Sequence, residues 1–268
     1  MDDERLLVLL RKAVRAEIRD EKMVSVAYSG GVDSSVIAAI AKEACPVRCF
    51  TCAVEGSFDA TNAAMRAEEE SLRLTLLEVD ADDLRKYVAS ASEALGTADP
   101  IQIAYSIPTL KVLEESHHKL VLAGNGADEL FGGYSKYLTA RDPRETMDAD
   151  IEKMLNEANM IMEWAASRRK RAGFPFIREE VREFSATLPL SKKIDGTDRK
   201  VILRDVARLL GLPSDDRPKK AAQYSSGVLK LMRGLAREEG MSLADWTEGF
   251  SKQRRRSAYE QAADVPEG

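Results

Sequence analysis

The octapeptide YSGGVDSS, residues 28–35, follows the apolar stretch MVSVA. A strand that runs into Ser29-Gly30-Gly31 and then into a helix places unpaired backbone N–H groups at the helix N-terminus. Those donors and the helix dipole both favour an anion. Glycine lets the chain turn sharply and lets backbone approach a ligand closely. Ser29, Ser34 and Ser35 add hydroxyl donors. Asp33 is the odd member, because a carboxylate repels phosphate. Its presence makes sense if a divalent cation such as Mg2+ bridges it to phosphate oxygens. The bland alternative is a plain strand-to-helix turn with Asp33 in the first helical turn. The string is not G-x-x-x-x-G-K-S/T, so it is not a Walker loop.

A second string repeats the theme. In LVLAGNGADELFGGYSKY, residues 120–137, a buried strand ends at Gly124. Asn125 and Gly126 follow, then Asp128 and Glu129 open a helix. Placed beside the first strand, at the carboxyl edge of a sheet where open α/β folds bind ligands, Asp128 would meet Asp33 across a shared cation. Alone, the string reads more readily as a helix start whose acids complement the dipole. Cys45, Cys49 and Cys52 have the spacing C-x3-C-x2-C. Cys49 and Cys52 fall in one strand and point to opposite faces, which disfavours a shared metal cluster. His117 and His118 read as partners of a helix C-terminus.

The elements that must hold these loops alternate. MVSVAY (23–28), VRCFTCAV (47–54), LTLLEV (74–79) and KLVLAG (119–124) read as strands. Helical segments lie between them, including 100–116 with Pro108 as an expected kink. The N-terminus, with Leu6, Leu9, Leu10, Ala13 and Val14 at helical spacing, is an amphipathic helix. This alternation implies a parallel, doubly wound sheet. From about residue 143 onward the pattern is helical with no strand, and DPRETMDADIEKMLNEANMIMEWAASRRKRAG reads as two helices ended by Gly173. The expected division is one unit over 1–268: an α/β part at 1–140, a helical part at 141–250 and a polar tail at 251–268.

Composition narrows the function classes. A formal net charge of −5 leaves no basic excess for a polyphosphate backbone, so a nucleic-acid partner is not expected. No apolar run approaches the ~20 residues that span a bilayer. The acidic start and three cysteines fit a cytoplasmic, reduced protein.

The intact string SGGVDSS, after a strand and before a helix, resembles the PP-loop of the ATP pyrophosphatases. Those enzymes split ATP between the α- and β-phosphates and activate a carboxyl, carbonyl or amide oxygen as the adenylate. A nucleophile then displaces AMP. LAGNGADELFGGY resembles the S-G-E-G-A/S-D-E-L/V-F-G-G-Y signature of the synthetase domain of asparagine synthetase and β-lactam synthetase. EWAASRRKRAGFPFI (163–177), RKVILRDVARLLGLP and RPKKAAQYSSGV (217–228) resemble the segments that follow it, in the same order. The resemblance covers roughly residues 20–235, and the chain is identified as a member of that superfamily, in a branch without the glutaminase domain.

The resemblance implies a Rossmann-like α/β fold of the adenine nucleotide alpha hydrolase type, with a helical second half. It implies ATP and Mg2+ as cofactors. Ser29, Gly30, Gly31, Ser34, Ser35, Gly124, Gly126, Glu129, Lys200 and Arg204 would surround the nucleotide, and Asp33 and Asp128 would hold the metal. Lys200 and Arg204, at i and i+4 on one helix face, are candidates for phosphate or AMP contacts; a solvated helix face is the other reading. Lys219 or Lys220 would stabilise charge on the acyl-adenylate, with Ser225, Ser226 and Gly227 as flexible points for loop closure. Three departures stand out. No glutaminase cysteine follows Met1, since residue 2 is Asp2. Asn125 replaces the family's glutamate and cannot act as a general base. Arg178 falls in the column of the aspartate in P-F-L-D.

The resulting expectation is an AMP-forming ligase acting on a small molecule with a carboxylate or amide oxygen. Free ammonia or a separate amidotransferase would supply nitrogen; a homodimer is one possible assembly, and the sequence does not fix the oligomeric state. A PP-loop tRNA-modifying or thiolating enzyme, and a nucleotide-binding regulator without catalysis, remain as alternatives.

Overall fold

The computed structural model describes residues 1–213 and 226–252. Five parallel strands form the central sheet in the order β3-β2-β1-β4-β5: β1 Val24–Ala27, β2 Val47–Ala53, β3 Leu74–Glu78, β4 Leu120–Leu122 and β5 Arg171–Gly173. From β1 the chain steps outward through α2 (Val32–Ala44), β2 and α3 (Phe58–Glu69) to β3. It then returns past β1 through α4 (Ala81–Leu95) and α5 (Pro100–Glu115) to β4. Right-handed crossovers require the helices to change face when the direction of travel reverses. The core shows that change. Residues of α1 (Asp2–Ile18), α2 and α3 pack on one face with Leu120 and Leu122, and those of α4 and α5 pack on the other with Val121 and Ala123. The reversal falls between β1 and β4, which is where such sheets open a crevice at their carboxyl edge.

Alternation sorts the strand residues. Cys49 belongs to the first core layer and Cys52 to the second, so the two thiols lie on opposite faces of β2. Burial pushes both thiols up to about 12. β4 has only three residues, yet Leu120, Val121 and Leu122 are at most 1% exposed. Each such side chain stabilises the fold by about 1.5–3 kcal/mol relative to exposure, which keeps this short strand in the sheet centre.

The second half differs from the expected strand-free pattern. β5 is a fifth parallel strand, paired through Leu120 with Arg171 and Leu122 with Gly173. Ile194–Asp195 (β6) and Asp198–Arg199 (β7) form a small antiparallel hairpin. Both were invisible in the pattern because they are only two or three residues long and, Ile194 apart, polar or small; their partners, not their own propensity, make them strands. Residues 143–167 form one helix, α7 (Pro143–Ser167), rather than two. Asp142 caps it through the Arg144 and Glu145 amides, and the chain leaves it at Arg169, whose φ of 59° is left-handed, well before Gly173. α5 runs through Pro108. Further helices are α6 (Ala127–Phe131), α8 (Glu179–Thr187), α9 (Val201–Leu209) and α10 (Val228–Glu238), and residues 243–252 are helical as well. Among the described residues no helix is long and apolar enough to cross a membrane.

Candidate active site

The two glycine-bearing loops leave β1 and β4, which are direct neighbours. In the first, Gly30 takes φ 71°, and a Cβ there would lie 2.8 Å from Asn62 Nδ2 and 3.0 Å from the Ala63 Cα. The same Asn62 amide donates to the Ser29 carbonyl at 3.2 Å, pinning the turn from α3. Gly31 is the N-cap of α2, and among the described residues no side chain caps it. The first turn of a 13-residue helix therefore keeps backbone donors for an anion. Ser34 Oγ donates to the Gly31 carbonyl at 3.0 Å and accepts from the Ser29 amide at 3.2 Å, shaping the turn itself. Ser35 has a different partner. Its hydroxyl donates to Glu70 at 2.7 Å, and the Tyr28 hydroxyl donates to the same carboxylate at 3.0 Å. Burial holds the Glu70 carboxyl above its ordinary range.

The second loop approaches the first closely. A Cβ on Gly124 would lie 3.0 Å from the Asp33 Cβ. Gly126, the N-cap of α6, takes φ 93°, and a Cβ there would lie 2.5 Å from Ile177 Cγ2. Asn125 sits half-buried between them. Glu129 is buried and accepts the Tyr134 hydroxyl at 2.7 Å. Burial, and then the Asp128 carboxylate beside it, push Glu129 up to about 7. α6 itself has five residues; Ala127, Leu130 and Phe131 anchor it in the core, and the Ser185 hydroxyl donates to the Leu130 carbonyl at 2.8 Å.

Asp33 and Asp128 converge on one cation. The Lys200 ammonium lies 2.5 Å from Asp33 Oδ2 and 2.6 Å from Asp128 Oδ1, with only 3% of the lysine side chain exposed. The β6–β7 hairpin delivers it. Arg199 donates to the Gly133 carbonyl at 2.7 Å, and Lys200 then turns left-handed (φ 57°) as the N-cap of α9. Lys200 thus precedes the helix instead of lying on its face, while Arg204 Nε donates back to the Arg199 carbonyl at 3.0 Å. Gly133 is required by the same contact, since a Cβ there would sit 1.8 Å from Asp128 Oδ1. Sequence reasoning missed Gly133, Tyr134 and Glu70, although the GGY triplet that supplies two of them stood in the quoted motif.

Lys219 and Lys220 lie outside the described residues. The far end of their segment is described. The Ser226 carbonyl accepts the Val54 amide at 2.9 Å, just beyond β2, and Ser226 is 1% exposed. Gly227 takes φ 80° with a notional Cβ 2.9 Å from Val54. Residues 226–227 are therefore packed on the carboxyl edge of the sheet, while Ser225 lies outside the described residues.

Two hard carboxylate oxygens brought from separate loops to a single positive charge suit Mg2+. Among the described residues no group of three or more His, Cys, Asp or Glu side chains is arranged for a metal. A divalent ion here would take most of its shell from phosphate oxygens and water.

Comparison with known proteins shows what the chain is similar to. The Methanocaldococcus jannaschii protein named "Putative asparagine synthetase 1", glutamine-hydrolyzing, is 30% identical over 279 residues, covering 87% of this chain and 51% of that protein. The mouse asparagine synthetase domain-containing protein 1 is 35% identical over 131 residues, 44% of this chain and 21% of that one. The chain thus spans about half or less of these relatives. Among solved structures, NMN synthetase from Francisella tularensis superposes over 94% of this chain and 92% of its own, at 12% identity and a TM-score of 0.46. Residues 5–174 match the asparagine synthase family, and the chain belongs to it.

Proposed function

We propose that this chain is an AMP-forming ligase that adenylates a carboxylate or similar oxygen on a small molecule and then forms an amide-type bond. The observation that carries the reading is the convergence of Asp33 and Asp128, from adjacent parallel strands, on one cation at the point where the sheet reverses. The α2 N-terminus, Gly30, Gly31 and the Ser29 and Ser34 hydroxyls would receive the triphosphate. Asp33 and Asp128 would hold Mg2+, which neutralises charge on the departing pyrophosphate. The acceptor oxygen attacks the α-phosphorus, the α–β bridging bond breaks, and pyrophosphate leaves. A nitrogen nucleophile then attacks the acyl carbon, AMP departs with the bonding pair, and the nitrogen loses a proton. Lys219 or Lys220 would meet the negative charge of the second step. Asn125 holds the family's glutamate position but cannot take that proton. The nitrogen would come from ammonia, free or passed on by a separate amidotransferase.

The test is ATP–pyrophosphate exchange by the wild-type chain across a panel of carboxylic acids. Exchange that appears with one acid and needs Mg2+ supports the reading and names the acceptor. Cleavage of ATP to ADP and phosphate under the same conditions rejects it.

A further inference from the structure

Lys200 stands in the place where the proposed function needs a divalent ion. Its ammonium contacts both metal-holding carboxylates, Asp33 at 2.5 Å and Asp128 at 2.6 Å. This is no loose surface pair. The lysine side chain is 3% exposed, and Asp33 itself is 9% exposed. The backbone is committed to it, because Lys200 holds a left-handed φ of 57°, a conformation unfavourable to a residue with a Cβ. The neighbouring loop is cut to fit. A Cβ on Gly133 would lie 1.8 Å from Asp128 Oδ1 and 2.3 Å from Lys200 Cε, so only glycine leaves room for the pair.

A dication coordinated by these oxygens would sit within a few ångströms of the ammonium in a poorly solvated site. Like charges at that range repel strongly. The two cations therefore compete for the same oxygens unless an anion arrives to pair with one of them. We propose that Lys200 is a built-in surrogate for the divalent cation. In the nucleotide-free protein it holds the two loops together and keeps Mg2+ off the carboxylates. When metal arrives with a triphosphate, the ammonium moves onto phosphate oxygens and yields the carboxylates. Metal alone gains little from binding; metal and nucleotide together gain from both exchanges, which couples their affinities. The inference rests on the reading of Asp33 and Asp128 as metal ligands.

The experiment titrates Mn2+ alone into nucleotide-free protein and follows the free-ion electron paramagnetic resonance signal. The proteins are wild type, Lys200→Gln, Lys200→Met and the double variant Lys200→Gln/Asp128→Asn. Lys200→Gln keeps an amide donor against both carboxylates and guards against a methionine variant that does not fold. The expected result is Mn2+ affinity at least about tenfold higher in both single variants than in wild type, with Mn2+ raising their Tm but not that of wild type. The double variant should lose the gain. Wild-type and Lys200→Gln proteins with equal affinity for Mn2+ alone would overturn the surrogate role. In parallel, retention of ATP by wild type is measured with and without Mg2+. If Mg2+ leaves it unchanged, the metal reading itself fails, and the surrogate role with it.

Discussion

The two glycine loops share one grammar, strand then glycine then acid then helix, but they act through different physics. The first opens α2, thirteen residues long with no side-chain cap among the described residues, and offers backbone donors. The second opens α6, five residues long, which has no comparable dipole to offer. Its contribution is a carboxylate, Asp128, delivered to a cation shared with Asp33. Each loop rests on a similar support, a glutamate accepting a tyrosine hydroxyl: Tyr28 on the half-buried Glu70 under the first, Tyr134 on the buried Glu129 under the second. The difference teaches that a motif's residues do not fix its role; the length and capping of the element behind it do.

The sharpest way to break this division is at the carboxylate both loops need. Asp33→Asn is expected to abolish pyrophosphate release while circular dichroism and Tm stay near wild type, because Lys200 keeps Asp128 as a partner. Full activity in that variant would remove the metal bridge. A smaller loss is expected after the loops have done their work. Lys219→Ala or Lys220→Ala, whichever removes the inward charge, should lower single-turnover product formation by roughly 10²–10³ while ATP binding stays within a few-fold. Normal turnover in both would reduce that segment to a surface turn.

Gly133→Ala separates close approach from ordinary glycine freedom. Its Cβ would collide with Asp128 and Lys200, so exchange activity should fall and stability should drop by about 1–3 kcal/mol. Gly234→Ala, inside α10 with nothing within 4 Å of its notional Cβ, should instead stabilise by about 0.5–1 kcal/mol in a thermal melt.

These glycines also mark how far the sequence could be read. SGGVDSS and GADELFGGY exposed both loops and the Asp33–Asp128 pair because their chemistry is local to each string. The first four strands were legible because each is apolar over several residues. β5 was not, since Arg171-Ala172-Gly173 has no strand signal apart from the neighbour it pairs with. Lys200 was found, but as a helix-face cation; its left-handed N-cap depends on a hairpin of two-residue strands that no periodicity reveals. Ser35 looked like a ligand donor and is bonded to Glu70, a partner 35 positions away.

The support under the first loop gives the smallest effect. Burial raises the Glu70 carboxyl, so the folded state binds its proton more tightly than the unfolded chain does. The stability it contributes is present below the ordinary carboxylate pKa and is lost as pH rises through the raised one. Glu70→Gln should therefore gain Tm on wild type as pH is raised from acid to neutral, by a few degrees at most, given that about 1 kcal/mol corresponds to about 2–4 °C for a domain of this size. A pH-independent difference would mean that the glutamate's charge is immaterial to the loop.

The joint action of the two loops is tested most directly by calorimetric titration of ATP into wild type, Asp33→Asn and Asp128→Asn, each with and without Mg2+. Wild-type affinity should rise at least about tenfold with Mg2+, each such factor being worth about 1.4 kcal/mol. Both variants should bind ATP with no response to the metal. A wild-type-sized Mg2+ response in either variant would contradict a cation held between the two loops.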